Sequence, residues 1–305
     1  LRRIYLVNRG LIFAIAAALA FSIMNLLVKE LSTSMNSGEI VFGRSIVGLI
    51  VLLFIMKVNN IEFSRRDIPL LFFRGTVGGT SMLLIFTAIA GMHLGDVAIL
   101  QQLSAIFVIF LSAIWLKEKI PAKAVLPLII ILLGTVLLLR PWEYNSFSFY
   151  AVLVIISAML AAVAYTTIHK LFQNGGHNSW EIVFYFLFCS AIIGIIIMMA
   201  TGKYHMPNHY ELILVIGIGL LSLLAQTLMT QAYGSANTVI VSFVLYIGIF
   251  FNALWGYMFF AEIMHKLSII GGILIIGGSI YLTLVKNKVR KDKKRHLHKN
   301  KEIIN

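Results

Sequence analysis

The chain has 305 residues, of which 60% are hydrophobic and only 12% charged, with a mean hydropathy of +0.93. That is far more apolar surface than a soluble domain can hide, so a soluble enzyme or binding module is excluded and an all-α integral membrane protein is expected. The net charge of +13 does not point to nucleic acid: nine of the 25 Lys and Arg lie between Lys286 and Lys301, behind the last apolar run. There a basic tail (287–305) is expected to fix orientation and to meet anionic lipid.

Apolar runs of about twenty residues, the length at which a helix crosses a hydrocarbon core of about 30 Å, recur along the sequence. They predict ten spans, at about 10–28, 38–57, 69–90, 96–116, 122–139, 148–168, 179–200, 209–231, 237–260 and 266–285. Helices are the expected spanning element because each satisfies its own backbone hydrogen bonds. Arg2, Arg3 and Arg9 before an apolar run ending in Ala18-Leu19-Ala20 also resemble a signal peptide. The run continues past Asn25 to Lys29 and has a counterpart in the sixth span, which favours a first membrane helix.

Breakers agree with this map. Pro69 and Pro121 stand at span starts and Pro141 closes the fifth span, while Pro127 lies one to two turns inside it and allows a kink. Gly75 with Gly79, and Gly271, Gly272, Gly277 and Gly278, are spaced for close helix packing. The single cysteine, Cys189, reads as a small packing residue.

With the N-terminus in the cytoplasm, that side holds 20 of the basic residues and the other side keeps Lys29, Arg44, Arg140, Lys203 and Lys266. Both termini are therefore expected inside.

Asn36-Ser37-Gly38-Glu39-Ile40-Val41-Phe42 returns as Asn178-Ser179-Trp180-Glu181-Ile182-Val183-Phe184. Lys29 answers to Lys170, and Glu118 with Gly134 to Glu262 with Gly278, at nearly the same offset, which marks an internal duplication. Each copy reads as a helix start with Asn at the cap and Glu three residues on. Five spans per copy is an odd number, so the second copy enters the membrane upside down. The fold expected is ten transmembrane helices in two inverted five-helix repeats, 8–141 and 148–286, an arrangement found in many secondary transporters.

The residues that carry the repeat also carry a family likeness. Glu39 with Arg44 opening the second span, Asp96 opening the fourth, Trp115-Leu116-Lys117-Glu118-Lys119-Ile120-Pro121, Leu138-Leu139-Arg140-Pro141 and the second-half Ala261-Glu262 resemble the EamA family of the drug/metabolite transporter superfamily. The likeness covers roughly residues 8 to 286. It implies a ten-helix transporter of amino acids, nucleoside-like metabolites, vitamins or drugs, often moved outward. Where family members often carry proline in the fourth and ninth spans, this chain has Ser104 and Gly248.

Charges inside a bilayer each require an account. Glu39 and Glu181 read as helix caps, with gating or proton coupling as the functional alternative; Glu118 and Glu262 read as turn anchors, and Asp96 as the cap of the fourth span. Arg44 and Arg74 lie about two turns inside their spans. They either snorkel to the interface or face a cavity, where a guanidinium binds carboxylate or phosphate bidentately. Polar residues at helical spacing, among them Asn25, Gln101, Gln102, Tyr165, Gln226, Tyr246 and Trp255, outline a polar cavity with aromatic walls suited to a small amphipathic solute. Any one of them is equally an interhelical hydrogen bond. His169 reads either as a proton relay or as a solvated interfacial histidine.

No Gly-x-Ser-x-Gly, His-Glu-x-x-His or phosphate-cradling Gly-Lys-Ser/Thr occurs, so no enzyme, cofactor or metal site is expected. The expected function is secondary transport of a small metabolite by alternating access, outward and with possible proton coupling, in a bacterial cytoplasmic membrane. A lipid flippase or a non-transporting scaffold is the alternative, and a homodimer stays open.

Overall fold

The structure is a computed structural model that describes residues 2–115, 125–139, 149–175, 177–202, 205–235, 245–278, 280–282 and 284–285. Glu118, the basic tail, the beginning of the ninth predicted span and the His169 side chain lie outside the described residues. The described residues are helical, without strands.

The helices are α1 (Arg2–Leu31), α2 (Ser37–Val58), α3 (Ile68–Gly91), α4 (Leu94–Gln101), α5 (Leu103–Trp115), α6 (Val125–Leu139), α7 (Phe149–Asn174), α8 (Ser179–Thr201), α9 (His209–Ser235) and α10 (Ile247–Phe260). A further apolar helix, α11, runs over Lys266–Leu282. Six of these, α1, α2, α3, α7, α8 and α9, are long and apolar enough to cross a membrane. The remainder are shorter apolar helices.

The chain forms two compact units. One comprises residues 1–111 and 148–264, and the other residues 112–147 and 265–305. In the smaller unit α6 meets α11 through glycine. A Cβ added to Gly134 would stand 2.7 Å from the Gly271 carbonyl oxygen, and one on Gly278 would stand 2.6 Å from Ile131 and 3.1 Å from the Pro127 carbonyl. Pro127 is the third described residue of α6, and the residues before Val125 lie outside the described residues.

In the larger unit α1 packs on α9 and α10, α2 on α8 and α9, α3 on α7 and α8, and α4 on α7 and α10. These pairings have a regularity. Exchanging α1 with α7, α2 with α8 and α3 with α9 converts α1 on α9 into α7 on α3, and α3 on α8 into α9 on α2. Close contacts repeat the exchange. A Cβ on Gly75 of α3 would lie 2.5 Å from the Tyr185 carbonyl of α8, and one on Gly219 of α9 would lie 3.1 Å from the Arg44 carbonyl of α2. Gly79 fits against Ser190, and Cys189 lies where a Cβ on Gly75 would be 2.7 Å from its sulfur, which is the small-residue packing expected of it.

The helix of the fourth predicted span is broken without proline. It turns at Gln102, whose backbone N–H donates to the Ile99 carbonyl at 3.1 Å in a 3₁₀ manner before α5 begins. A turn at Tyr246 precedes α10 in the same way, with the Ile249 N–H donating to the Tyr246 carbonyl at 3.0 Å. The turn at Gln102 lies two residues before Ser104, so the absence of proline there does not straighten that helix.

Candidate functional site

The repeated heptapeptide caps both helices through its Asn, but only the first copy closes the reciprocal box, because the Glu181 carboxylate turns to a loop instead. At α2 the Asn36 side chain accepts from the Glu39 N–H at 3.0 Å and the Glu39 carboxylate accepts from the Asn36 N–H at 2.9 Å. At α8 the Asn178 side chain accepts from the Glu181 N–H at 2.8 Å. Each satisfies donors that the first turn leaves free. Both carboxylates also reach a loop. Glu39 Oε1 accepts from the His205 N–H at 2.6 Å, just before α9, and Glu181 Oε1 accepts from the Ser64 N–H and hydroxyl at 3.0 Å, just before α3.

The Glu181 end gathers a histidine that the sequence did not single out. His177 Nδ1 lies 3.0 Å from Glu181 Oε2 and 3.1 Å from Ser64 Oγ, and its Nε2 lies 3.2 Å from Asp67 Oδ2. Burial pulls the His177 pKa down, but the hydrogen bonds to Glu181 and Asp67 and their negative charges outweigh it and hold the imidazole above its ordinary value. Asp67, which also accepts from Asn174 at 3.0 Å, is held below its ordinary value by Asn174 and His177. The Glu39 end has an analogous pair, His205 Nε2 with Glu211 Oε2 at 2.8 Å. The only sequence signal for His177 was its place directly before the cap.

The buried cations sit between α2, α3, α8 and α9. Arg44 is 0% exposed and Arg74 2%, so neither snorkels out of the bundle. The Arg44 guanidinium lies 5.3 Å from the ring centroids of both Phe86 and Phe186, and that of Arg74 lies 4.5 Å from Phe186. Arg44 Nη1 donates to the Ser222 hydroxyl. Among the described residues, Arg44 Nε and Nη2, and Arg74 Nε and Nη1, have no hydrogen-bond partner. A charged arginine at a helix centre costs about 2.5–3.5 kcal/mol on insertion scales, and a desolvated cation over an aromatic ring regains about 2 kcal/mol. Two arginines on one Phe186 ring therefore leave positive charge uncompensated.

The polar residues predicted to line a cavity fall into two groups. Some bond to one another across helices: Asn25 donates to Asn252 Oδ1 at 3.0 Å and the Trp255 indole N–H to the Ser22 hydroxyl at 3.1 Å, both joining α1 to α10. Others keep free groups. Gln226 is buried in α9 and its Oε1, like that of Gln101 at the end of α4, is without a partner among the described residues. Gln102 and Tyr246 occupy the two helix turns, and Tyr165 of α7 packs with Leu71, Ile168, Leu171 and Ile182.

One more contact joins three elements. The Lys29 ammonium pairs with Glu262 and donates to the Met92 carbonyl at 2.6 Å, while Glu262 Oε2 accepts from the Leu94 N–H at 2.8 Å. Glu262 thus holds α1 and the α3–α4 link rather than its own turn alone. Among the described residues no group of three or more His, Cys, Asp or Glu could hold a metal ion.

Apolar helices of membrane-crossing length, buried charges and paired polar side chains define an integral membrane protein with a charged centre inside its bundle. Sequence comparison says which kind. The model of the EamA-like transporter family matches this chain twice, over residues 8–140 and 149–284, and the chain belongs to that family. It is 38% identical to the pseudopaline exporter CntI of Pseudomonas aeruginosa over 282 residues, covering 92% of this chain and 98% of that protein. The riboflavin transporter of Vibrio cholerae is 23% identical, covering 92% and 94%, and the human solute carrier family 35 member G1 is 22% identical, covering 89% and 78%. A solved crystal structure superimposes with a TM-score of 0.68 at 14% identity, covering 93% of this chain and 99% of that one, which shows a shared fold. The protein is a transporter of small metabolites rather than an enzyme.

Proposed function

We propose that the protein exports a small metabolite by alternating access between two inverted five-helix repeats, 8–141 and 148–286, with ten spans and both termini in the cytoplasm. The observation that carries this reading is the exchange of packing partners between the halves. A helix set that maps onto itself when its halves are swapped has two related packings available. Adopted from opposite sides of the membrane, these give outward-open and inward-open states of comparable energy. The turns at Gln102 and Tyr246 fall at corresponding places in the two halves, and irregular backbone at membrane depth belongs where it lines a cavity. The Lys29–Glu262 pair, tying α1 to the end of α10, fits a contact that closes one face. Outward movement and a small organic solute are favoured by the likeness to the pseudopaline exporter, which extends over almost all of that protein.

The test is counterflow in proteoliposomes with a panel of radiolabelled small metabolites, combined with labelling of cysteines introduced at positions 36 and 178. Saturable exchange and labelling from opposite sides are expected. Absence of saturable exchange for every solute, or labelling of both positions from one side, would overturn the reading.

A further inference from the structure

We infer that Arg44 and Arg74 form the solute-binding centre and that the solute is a soluble acid bearing at least two carboxylate or phosphate groups. This rests on the carrier reading above, because an anion reaches two enclosed guanidiniums only if α2 and α3 part from α8 and α9. Both arginines are at least 98% buried, on different helices, and both guanidiniums face the ring of Phe186. Among the described residues no carboxylate stands within ion-pair distance of either. Four of their nitrogens have no hydrogen-bond partner among the described residues. Two like charges buried together without a counter-ion are tolerated in a bilayer protein where a ligand supplies the missing charge.

The donors specify the ligand. A guanidinium offers a planar fork of N–H groups that matches the two oxygens of a carboxylate or phosphate. Two such forks against one ring ask for two acidic groups on one molecule, with a less polar body lying over the aromatic surface between them. A lipid phosphate presents similar oxygens, but its headgroup stays at the membrane face, whereas both guanidiniums are enclosed by helices. Ser222, which already accepts from Arg44, holds that fork in place for the solute.

Thermal unfolding of the full chain in detergent, with succinate, citrate and inorganic phosphate against succinamide at equal ionic strength, tests this. At least one oxyanion should raise the melting temperature saturably, and succinamide should not. Arg44→Met and Arg74→Met should each weaken that response at least tenfold in apparent Kd, yet leave the solute-free melting temperature unchanged or higher, since each removes an uncompensated charge. Should the Met variants not fold, Arg44→Lys and Arg74→Lys keep the charge, lose the fork and should weaken the response at least tenfold. No response to any oxyanion, an equal response to succinamide, an undiminished response in the variants, or stabilisation only by added phosphatidylglycerol would each overturn the proposal. Counterflow in the same proteins separates the two readings. Saturable exchange of a neutral solute that survives both Met variants discards the acid centre and keeps the carrier. Anion stabilisation lost in the variants, without exchange of any solute, keeps the anion centre and discards the carrier.

Discussion

Lys29 near the end of α1 and Glu262 just beyond the end of α10 form an ion pair although 233 residues separate them, with side chains only 15% and 8% exposed. A pair so shielded, with Glu262 also accepting from the Leu94 N–H, is costly to break by removing one member, because the other is then left charged and unpartnered. Glu262→Gln keeps the shape and removes the charge, and its expected effect is a loss of about 3 kcal/mol of stability. Lys29→Met with Glu262→Gln removes both charges and should recover most of it. Melting temperatures of the single and double variants, in one detergent, give the coupling between the two positions.

The His177 cluster makes stability depend on pH in a direction that can be worked out. The imidazole gains protons more readily in the folded protein, so its contribution is fully present below about pH 6.5, the ordinary histidine value, and fades as pH rises through the higher folded value. Asp67 has the opposite sign. Its contribution is present above its ordinary pKa of 3.8 and fades as pH falls through the lower folded value. The groups facing His177 are Asp67, Glu181 and Ser64, with Asn174 and Lys170 acting on Asp67. Unfolding followed from pH 5 to 9 should therefore show stability declining on the alkaline side. His177→Gln should flatten that decline, and an undiminished slope in the variant would assign it to other groups.

What could be read from the sequence follows the range of the interactions concerned. The caps at Asn36 and Asn178 were legible because a cap is a contact between residues three apart. The depth of Arg44 and Arg74 was legible as well, since it is counted from the helix start. Their shared ring was not. Phe186 belongs to another helix, and which way two helices face each other is written in sequence only when one side is polar and the other apolar. In these spans lipid and protein interior are both apolar, so rotation leaves no pattern. The same blindness separated Lys29 from Glu262, which the duplication pairs with Lys170 and Glu118 instead. It also left open whether Asn25 and Trp255 face a solute or a neighbour, and they bond to Asn252 and Ser22.

Glycine packing predicts a contrast between two similar substitutions. Gly75→Ala puts a Cβ 2.5 Å from the Tyr185 carbonyl oxygen, a backbone atom that cannot swing aside, so α3 and α8 must separate. The expected loss is about 1–3 kcal/mol, as for other overpacked sites, and it exceeds the gain of up to about 1 kcal/mol from the better helix former. Gly277→Ala of α11 has nothing within 4 Å of the new methyl and should show only that gain. Thermal melts of the two variants should move in opposite directions.

The loop contacts made by the Glu39 and Glu181 carboxylates separate the local role of a helix start from its tertiary one. Asn36→Ala and Asn178→Ala remove a single acceptor from a first turn and should each cost about 1 kcal/mol. Glu39→Gln retains an oxygen for the Asn36 N–H, and both Glu39→Gln and Glu181→Gln weaken charge-assisted bonds, to the His205 N–H in one case and to Ser64 in the other. Glu181→Gln also takes away one of the two carboxylates that raise the His177 pKa. Its effect should therefore shrink as pH rises, whereas that of Glu39→Gln, whose loop contact is a backbone N–H, should stay nearly constant across the same range. Melting temperatures of the four variants at pH 6 and pH 8.5 measure both effects. A pH-independent loss in Glu181→Gln would show that the carboxylate acts through Ser64 alone.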